Sequence, residues 1–254
     1  MSTAQPSTAR SVWSSRIGFI LASAGSAVGL GAIWKFPYMA GTNGGSVFML
    51  PYIFFTLTIG LALLIGEMAM GRRARGGAAT AFPLLGGKRW GWLGLVSVAT
   101  GYFVLAFYSV VGGWCVSYLV DSFMGAVTTP DADLLKANFG ELVSNGTKNI
   151  AWHLVFLSLT CGTVILGVEK GIERIAKILM PSLFILMLIL IIRGVTLPGG
   201  WEGVTYLFKP RWEDFNMSAL FNAMGFCFFS LSLGAGTMIT YGSYLDPKAD
   251  LPGS

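Results

Sequence analysis

The stretch AGSAVGLGAIWKFP, residues 24–37, decides how this chain is interpreted. It starts within an apolar run and places Gly25, Gly29 and Gly31 within seven residues. Each glycine weakens a helix by about 1 kcal/mol relative to alanine. An unpaired backbone group in hydrocarbon costs several kcal/mol, so a helix broken there needs a compensating role. Freed carbonyl oxygens are suitable ligands for a hard cation. The alternative is helix packing, because Gly25 and Gly29 form a G-x-x-x-G pair.

The composition is that of a polytopic membrane protein. Of the 254 residues, 54% are hydrophobic and 11% are charged, whereas soluble domains carry about 25% charged residues. The mean hydropathy is +0.67. Six runs are long enough to span a bilayer, and we number them spans one to six: 17–38, 47–70, 92–124, 150–168, 178–195 and 216–244. The three cysteines lie within these runs and are predicted to be small apolar core residues.

The charges predict the orientation of the spans. With a cytoplasmic N-terminus, most of the 17 Lys and Arg residues fall on the inner side, including the cluster at 72–75. This distribution follows the positive-inside rule, so we expect the N-terminus and the end after span six to be cytoplasmic. The expected location is the plasma or inner membrane.

A second glycine-interrupted span supports the cation hypothesis. Span six contains FFSLSLGAGTMITYGSY, where Gly234 and Gly236 follow Ser230 and Ser232. Two interrupted spans in corresponding positions of two halves indicate a transporter binding site. Spans one and six are five apart, which predicts a five-span repeat whose second copy has begun. The segments expected are a cytoplasmic tail at 1–12, the first repeat at 13–195, an extracellular loop at 196–215, span six at 216–244, and a cytoplasmic end at 245–254 truncated before span seven.

Three polar features need separate interpretations. Glu67 lies about one turn inside the membrane edge and is predicted to be a protonated or hydrogen-bonded structural residue. His153, the only histidine, is predicted to be a satisfied structural residue. The segment EKGIERIAK at 169–177 is predicted to be a short charged helix or turn with acid–base pairs at or near i,i+4 spacing.

Four motifs in order carry a family resemblance: AGSAVGLGAIWKFPYMAGTNGG, GEMAMGR, GVEKGIERIAKILMP and FFSLSLGAGTMITYGSYL. Together they resemble the neurotransmitter:sodium symporter family, whose bacterial members transport amino acids. The resemblance runs from about Arg10 to Tyr244. It implies an all-α fold of five plus five inverted helices, with helices one and six broken in mid-membrane. Family members have twelve or, more rarely, eleven spans, and this sequence resembles the first six.

The resemblance implies two sodium sites. One uses the carbonyls of Gly25 and Val28, together with groups from span eight. The other uses the carbonyl of Ala27, the hydroxyl of Ser230, the substrate carboxylate and asparagines of spans one and seven. Ala32 replaces the span-one asparagine, which removes one oxygen from that site. A role for chloride is left open.

The resemblance also implies the substrate pocket and two gates. Gly31 lets backbone amides approach the substrate carboxylate, to which Tyr108 donates its hydroxyl. Lys35 stands where many members have arginine in an outer gate, and Phe229 resembles the lid over the pocket. Arg10 and Trp13 resemble the family's inner gate, with Tyr244 beside it. The residues of the implied pocket are Ser26, Leu30, Gly31, Val104, Tyr108, Phe229, Ser232, Ala235 and Gly236.

The leading hypothesis is therefore sodium-coupled symport of a neutral amino acid. A large hydrophobic or aromatic amino acid is expected, because Ala235 leaves room at the side-chain end of the implied pocket. The chain alone is expected to be an inactive fragment. The alternative is a non-transporting membrane scaffold or assembly partner, in which the glycines only pack helices. An enzyme is disfavoured, because the sequence has no paired acids, no HExxH and no G-x-S-x-G. The partners expected are the amino acid and the bilayer, with no nucleic acid.

Overall fold

The computed structural model describes residues 12–125, 127 and 131–247, and these form helices with no β-strand among them. The predicted all-α membrane fold is confirmed. We number the helices in chain order: α1 Arg16–Ala27, α2 Gly31–Thr42, α3 Ser46–Ala74, α4 Ala78–Gly86, α5 Lys88–Phe123, α6 Ala132–Ser144, α7 Gly146–Ile165, α8 Val168–Thr196, α9 Gly200–Phe208, α10 Met217–Ser230 and α11 Thr237–Gly242.

Four of these helices, α3, α5, α7 and α8, are each long and apolar enough to cross a membrane unbroken. The pair α1 and α2 passes the same test together, with a bend of 48° between the two helices. Helix α10 is apolar but has only 14 residues, because span six is interrupted after it. Hydropathy therefore located five candidate spans, one of them bent, whereas the sixth apolar run is interrupted where its glycines lie.

The predicted break in span one is confirmed. Helix α1 ends at Ala27, and the Val28 N–H still donates to the Ala24 carbonyl at 2.7 Å. Val28 itself leaves helical geometry, with φ −94° and ψ 56°. The chain resumes with a π-helical turn at Gly31–Lys35, which continues directly into the rest of α2.

The predicted break in span six is also confirmed. Between α10 and α11 the backbone turns through left-handed conformations at Ser232, Gly234 and Gly236, whose φ values are 55°, 80° and 74°. Glycine adopts this region without steric cost, but serine does not. The strained conformation of Ser232 is therefore held by its surroundings.

The described residues form two compact units, the first made of those up to Val98 together with those from Val168 onward, and the second of Ala99–Gly167. In the first unit, α3 and α11 touch backbone to backbone. A Cβ on Gly71 would lie 1.8 Å from the Ile239 carbonyl oxygen, and one on Gly242 would lie 2.3 Å from that of Met68. Only glycine allows this approach. Beside it, Phe19, Met68, Met238 and Leu245 form a buried cluster.

The charged segment 169–177, predicted to be a short charged helix or turn, begins with a π-helical turn at Val168–Glu173 that continues directly into the rest of α8. Its predicted i,i+4 pair is present, since Lys177 Nζ lies 2.7 Å from Glu173 Oε1. Glu173 is fully buried and also accepts hydrogen bonds from the Ser14 N–H at 2.8 Å and the Ser15 hydroxyl at 2.8 Å. These contacts join α8 to the start of α1, so the segment belongs to the packed bundle.

The segment 196–215 was predicted to be an extracellular loop, and the structure places α9 and a 3₁₀ turn at Trp212–Asp214 within it. Helix α9 packs on the turn after α2. The Tyr206 hydroxyl donates to the Gly41 carbonyl at 3.0 Å, and a Cβ on Gly45 would lie 2.5 Å from the Tyr206 carbonyl oxygen. This tertiary contact outweighs the local preference of the Pro- and Gly-rich sequence.

The second unit contains α6, α7 and the part of α5 from Ala99 onward. Here α5 approaches α7 through glycines: a Cβ on Gly113 would lie 2.8 Å from the backbone of Trp152 and His153. His153 differs from the prediction, because its buried Nδ1 has no hydrogen-bond partner among the described residues. Outside the spans, a hydrogen bond from Lys148 holds the pKa of Glu141 below its usual value.

The cysteines only partly match the predicted core positions. Cys227 is buried, but Cys115 and Cys161 are exposed on α5 and α7. An apolar residue on a membrane helix can face lipid as well as the protein core, so hydropathy alone could not separate the two.

Candidate functional site

The two helix breaks are joined by a pair of serines. The Ser232 hydroxyl donates to the Ser26 carbonyl at 3.1 Å, and the Ser26 hydroxyl donates to Ser232 Oγ at 3.3 Å. Ser26 lies in the last turn of α1, where carbonyls lack an intrahelical donor. Ser232 supplies that donor from span six, so these contacts fix the two interruptions side by side.

Glu67 of α3 holds the interrupted part of span six. Its Oε1 accepts from the Gly234 N–H at 2.7 Å, while its buried Oε2 has no hydrogen-bond partner among the described residues. This is a hydrogen-bonded role of the kind predicted from the sequence. The contact satisfies a backbone donor that the helix break would otherwise leave in an apolar environment.

The residues predicted to bind sodium lie at the ends of two helices. Gly25 and Ala27 are in the last turn of α1, Val28 follows it, and Ser230 ends α10. The Ser230 hydroxyl donates to the Cys227 carbonyl at 3.1 Å and is 3.1 Å from the Tyr52 hydroxyl. Main-chain carbonyls and hydroxyls are oxygen donors of the kind a hard cation takes, so the chemistry of this set fits sodium.

Tyr52 was missed from the sequence. It lies on α3, between Phe36 and Phe226 in a cluster of tilted rings, with ring centroids 5.1 and 5.7 Å away. A tyrosine hydroxyl inside a bundle usually finds a polar partner, but a tyrosine in an apolar span is ordinary, so the sequence alone carried no signal for it.

The predicted pocket residues of the first unit line the two breaks. Leu30 and Gly31 start α2, whose N-terminal end favours an anion. Phe229 precedes Ser230 on α10, and the Lys35 ammonium lies 4.9 Å from the centre of its ring. Ala235 and Gly236 end the break in span six, and a Cβ on Gly236 would lie 2.8 Å from that of Ala78. The other two predicted residues, Val104 and Tyr108, lie on α5 in the second unit.

The predicted inner gate is partly described. The Trp13 N–H donates to the Tyr244 carbonyl at 3.2 Å, and its indole N–H donates to the Tyr241 carbonyl at 3.1 Å. The Trp13 ring also makes edge contacts with Phe19 and Tyr241. Tyr241 was not singled out from the sequence, although it lies three residues before Tyr244 on the same side of a helical turn. Arg10 lies outside the described residues.

The G-x-x-x-G pair is not used as a single packing surface in the described structure. A Cβ on Gly25 would lie 3.1 Å from the Met180 sulfur of α8, whereas one on Gly29 would have no atom within 4 Å. Gly25 therefore packs against a neighbouring helix, while Gly29 lies in the break with open space beside it.

Comparison with known proteins matches nearly the whole chain to one family. The model of the Sodium:neurotransmitter symporter family matches residues 10–133 and 134–253. The uncharacterised sodium-dependent transporter YhdH of Bacillus subtilis is 43% identical over 95% of this chain and 54% of its own length. The sodium-dependent neutral amino acid transporter B(0)AT3 of Rattus norvegicus is 33% identical over 94% of this chain and 43% of its own length.

A solved structure agrees with the fold. The crystal structure of MhsT in complex with L-phenylalanine superposes with a TM-score of 0.89 at 43% sequence identity. The match covers 96% of this chain and 56% of that one. The chain thus spans about half the length of the relatives it matches.

Proposed function

Because the chain belongs to the sodium:neurotransmitter symporter family, we propose that it supplies the first half of the machinery of a sodium-coupled amino-acid symporter. The observation that carries this proposal is the contact between the two helix breaks through Ser26 and Ser232. Breaks placed together in two apolar spans present backbone groups to a ligand at a depth where water is scarce. Alternating access then exposes that site to each side of the membrane in turn.

The proposed sodium ligands are those that the family resemblance implies, and their position at the helix ends supports them. Gly25 and Ala27 lie in the last turn of α1, where carbonyls lack an intrahelical donor, Val28 follows the helix, and Ser230 adds a hydroxyl oxygen. Sodium binding here would neutralise part of the negative end of the α1 dipole. Ala32 offers no side-chain oxygen, so the site that includes Ala27 is proposed to hold sodium more weakly than the site of Gly25 and Val28.

The proposed substrate is a large neutral amino acid. Gly31 opens the start of α2 to the carboxylate, and Tyr108 is proposed to donate its hydroxyl to it. By the family resemblance, Ala235 is proposed to leave the side-chain end of the pocket wide, and Val104 and Phe229 are proposed as apolar residues of its walls. The phenylalanine in the MhsT complex and the neutral substrates named for B(0)AT3 support this class.

The proposed setting is the plasma membrane, with the N-terminus in the cytoplasm. The distribution of Lys and Arg supports this orientation, since the cluster at 72–75 ends α3 on the side where the N-terminus lies. In this orientation Trp13 and Tyr244 form part of a cytoplasmic gate, and Lys35 and Phe229 form part of an extracellular one.

Uptake in proteoliposomes by a chimera that joins residues 1–244 to the remaining half of YhdH tests the proposal. We expect radiolabelled phenylalanine to accumulate in a sodium gradient and not when choline replaces sodium. Ser232→Ala should reduce uptake strongly. The matched control is Ser182→Ala, which removes an exposed hydroxyl that bonds only within α8. Equal uptake in sodium and choline would contradict sodium coupling.

A competition assay tests the substrate class separately. In the wild type, leucine or tryptophan should compete better than glycine. Ala235→Phe should shift the preference toward smaller amino acids, by about 1–3 kcal/mol per methylene excluded. A wild type that prefers glycine, or an unchanged ranking in the variant, would contradict the pocket argument while leaving sodium coupling intact. Complete absence of transport, with an intact fold, would favour the scaffold alternative.

A further inference from the structure

A polar cavity lies within the second unit, where the ends of α5 and α6 meet the start of α7. It has a volume of about 370 Å³, and no described residue of the predicted transport site lines it. Cavities of this size hold small organic molecules, whereas a water molecule needs only about 10–15 Å³. In the proposed orientation α3 ends on the cytoplasmic side, so α5 ends on the outer side.

Helix α5 contributes a buried hydroxyl and a carboxylate to the wall of this cavity. Ser117 is only 4% exposed, and its hydroxyl has no hydrogen-bond partner in the described part of the chain. Asp121 lies four residues later on the same face and makes no ion pair or hydrogen bond with a described residue. An unpartnered buried hydroxyl costs stability, so the two side chains point to a ligand that supplies hydrogen-bond donors.

The charged groups around the cavity leave one negative charge uncompensated. The Lys148 ammonium of α7 donates to Glu141 Oε1 of α6 at 2.8 Å. Asp121 is the second carboxylate on the wall, and its field also favours the charged form of Lys148. Lys136, the other lysine of this unit, is paired with Asp133. One ammonium group therefore faces two carboxylates. The negative dipole ends of α5 and α6 outnumber the positive end of α7.

Three helices fix the wall of the cavity, and the wall carries two aromatic rings. The Asn149 amide of α7 donates to the Leu142 carbonyl of α6 at 2.8 Å and accepts from the Trp114 indole N–H of α5. Tyr118 of α5 and Trp152 of α7 both line the cavity. Aromatic faces attract cations, and tryptophan does so most strongly. The rings therefore add to the attraction that the carboxylates exert on a cation.

We propose that this cavity binds a small organic cation, in which a primary ammonium group is attached to an apolar body. Asp121 and the Ser117 hydroxyl accept hydrogen bonds from the ammonium group, and Trp152 packs against the apolar body. A metal ion fits less well, because it takes several oxygen ligands and only one carboxylate of the wall is unpaired. The inference depends neither on sodium coupling nor on the transported substrate.

Calorimetric titration of the purified chain in uncharged detergent tests this proposal with three matched ligands. Phenethylamine, L-phenylalanine and 3-phenylpropionate share an aromatic ring and are a cation, a zwitterion and an anion. We expect phenethylamine to bind most tightly, and Asp121→Asn to weaken its binding at least about tenfold, as loss of a charged hydrogen bond predicts. The matched control is Asp133→Asn, which removes the same charge from an exposed site outside the cavity and should change binding little.

Several results would overturn the proposal. Absence of phenethylamine binding to the wild type would do so directly. Equal binding of phenethylamine and 3-phenylpropionate would indicate partition of the ring alone, and equal binding of L-phenylalanine would show that a carboxylate is not excluded. An equal loss in Asp133→Asn would reduce the effect to general charge attraction. Binding of calcium ions in place of phenethylamine would make the cavity a metal site.

A second variant keeps the test decisive if Asp121→Asn does not fold. Ser117→Ala removes a hydroxyl that has no partner among the described residues, so the variant should be as stable as the wild type. It should nevertheless weaken phenethylamine binding about twofold to tenfold, as loss of one hydrogen bond predicts. Unchanged binding in this folded variant would contradict the assigned contact and overturn the proposal.

Discussion

At the scale of single residues, Ser232 shows how a strained position is maintained. A left-handed conformation costs a non-glycine residue about 1–2 kcal/mol. Ser232 offsets this cost with two hydrogen bonds to Ser26, which also satisfy a carbonyl at the end of α1. Replacement by glycine would remove the strain and the bonds together, whereas replacement by alanine would remove only the bonds.

This difference makes a prediction about stability. Ser232→Ala should lower the free energy of unfolding by about 1–3 kcal/mol, because each lost bond contributes about 0.5–1.5 kcal/mol. Ser232→Gly should be less destabilising than Ser232→Ala, because glycine relieves the backbone strain. Thermal unfolding in detergent measures both, with Ser182→Ala as the control. If the alanine variant is as stable as the wild type, the bonds do not hold the break.

The residues that the sequence located and those it missed differ in a physical way. Glycines and serines in an apolar span break a local rule, so Gly25, Ser230 and Ser232 could be found without a structure. Tyr52 and Tyr241 break no local rule, because an aromatic residue in a membrane helix is ordinary. Their importance comes from contacts with residues more than 170 positions away, which no local pattern contains.

At the scale of helices, the contact between α3 and α11 depends on two glycines in different helices. Gly71→Ala places a Cβ 1.8 Å from the Ile239 carbonyl oxygen, a distance that requires the helices to separate. We expect a loss of about 1–3 kcal/mol or more in unfolding free energy, as for overpacking in other cores. Gly66→Ala on the same helix meets no atom within 4 Å and should be neutral or stabilising. Equal effects of the two changes would contradict backbone-to-backbone packing.

The start of α8 makes a second prediction at this scale. Buried Glu173 accepts hydrogen bonds from Ser14 and Ser15, which precede and cap α1. Glu173→Ala should therefore free the start of α1, and hydrogen exchange of the amides at 14–18 should become at least tenfold faster if about 1.4 kcal/mol or more is lost. Glu169→Ala, which removes an exposed carboxylate from the same segment, is the control. Unchanged exchange in Glu173→Ala would show that α1 is held by other contacts.

The helices also show what hydropathy can and cannot predict. Five of the six long apolar runs form candidate membrane spans, one of them as a bent pair of helices, while the sixth is interrupted after the 14 residues of α10. A helix suits such runs because a backbone in lipid has to pair within its own segment. Helix α9 was predicted as loop, since Pro198, Gly199 and Gly200 are loop signals. The helix forms because Tyr206 has a partner surface on the turn at 41–45, and that surface exists only in the folded molecule.

At the scale of the whole molecule, the described residues contain one part of each proposed site. The first unit supplies carbonyls from Gly25, Ala27 and Val28 and one hydroxyl from Ser230. By the family resemblance, further sodium ligands belong to spans seven and eight, and the partners of both gates belong to later spans. A sodium ion with an incomplete set of ligands is not compensated for the water it loses on binding.

We therefore predict that the 254 residues by themselves do not accumulate substrate. Proteoliposomes containing this chain should show no difference in phenylalanine uptake between sodium and choline gradients. A chimera that joins residues 1–244 to the remaining half of YhdH should restore sodium-dependent uptake, because the two sequences are 43% identical over the shared region. In that chimera, Ser232→Ala should again reduce uptake and Ser182→Ala should not. Robust sodium-driven accumulation by the 254 residues alone would show that the described half contains a complete site.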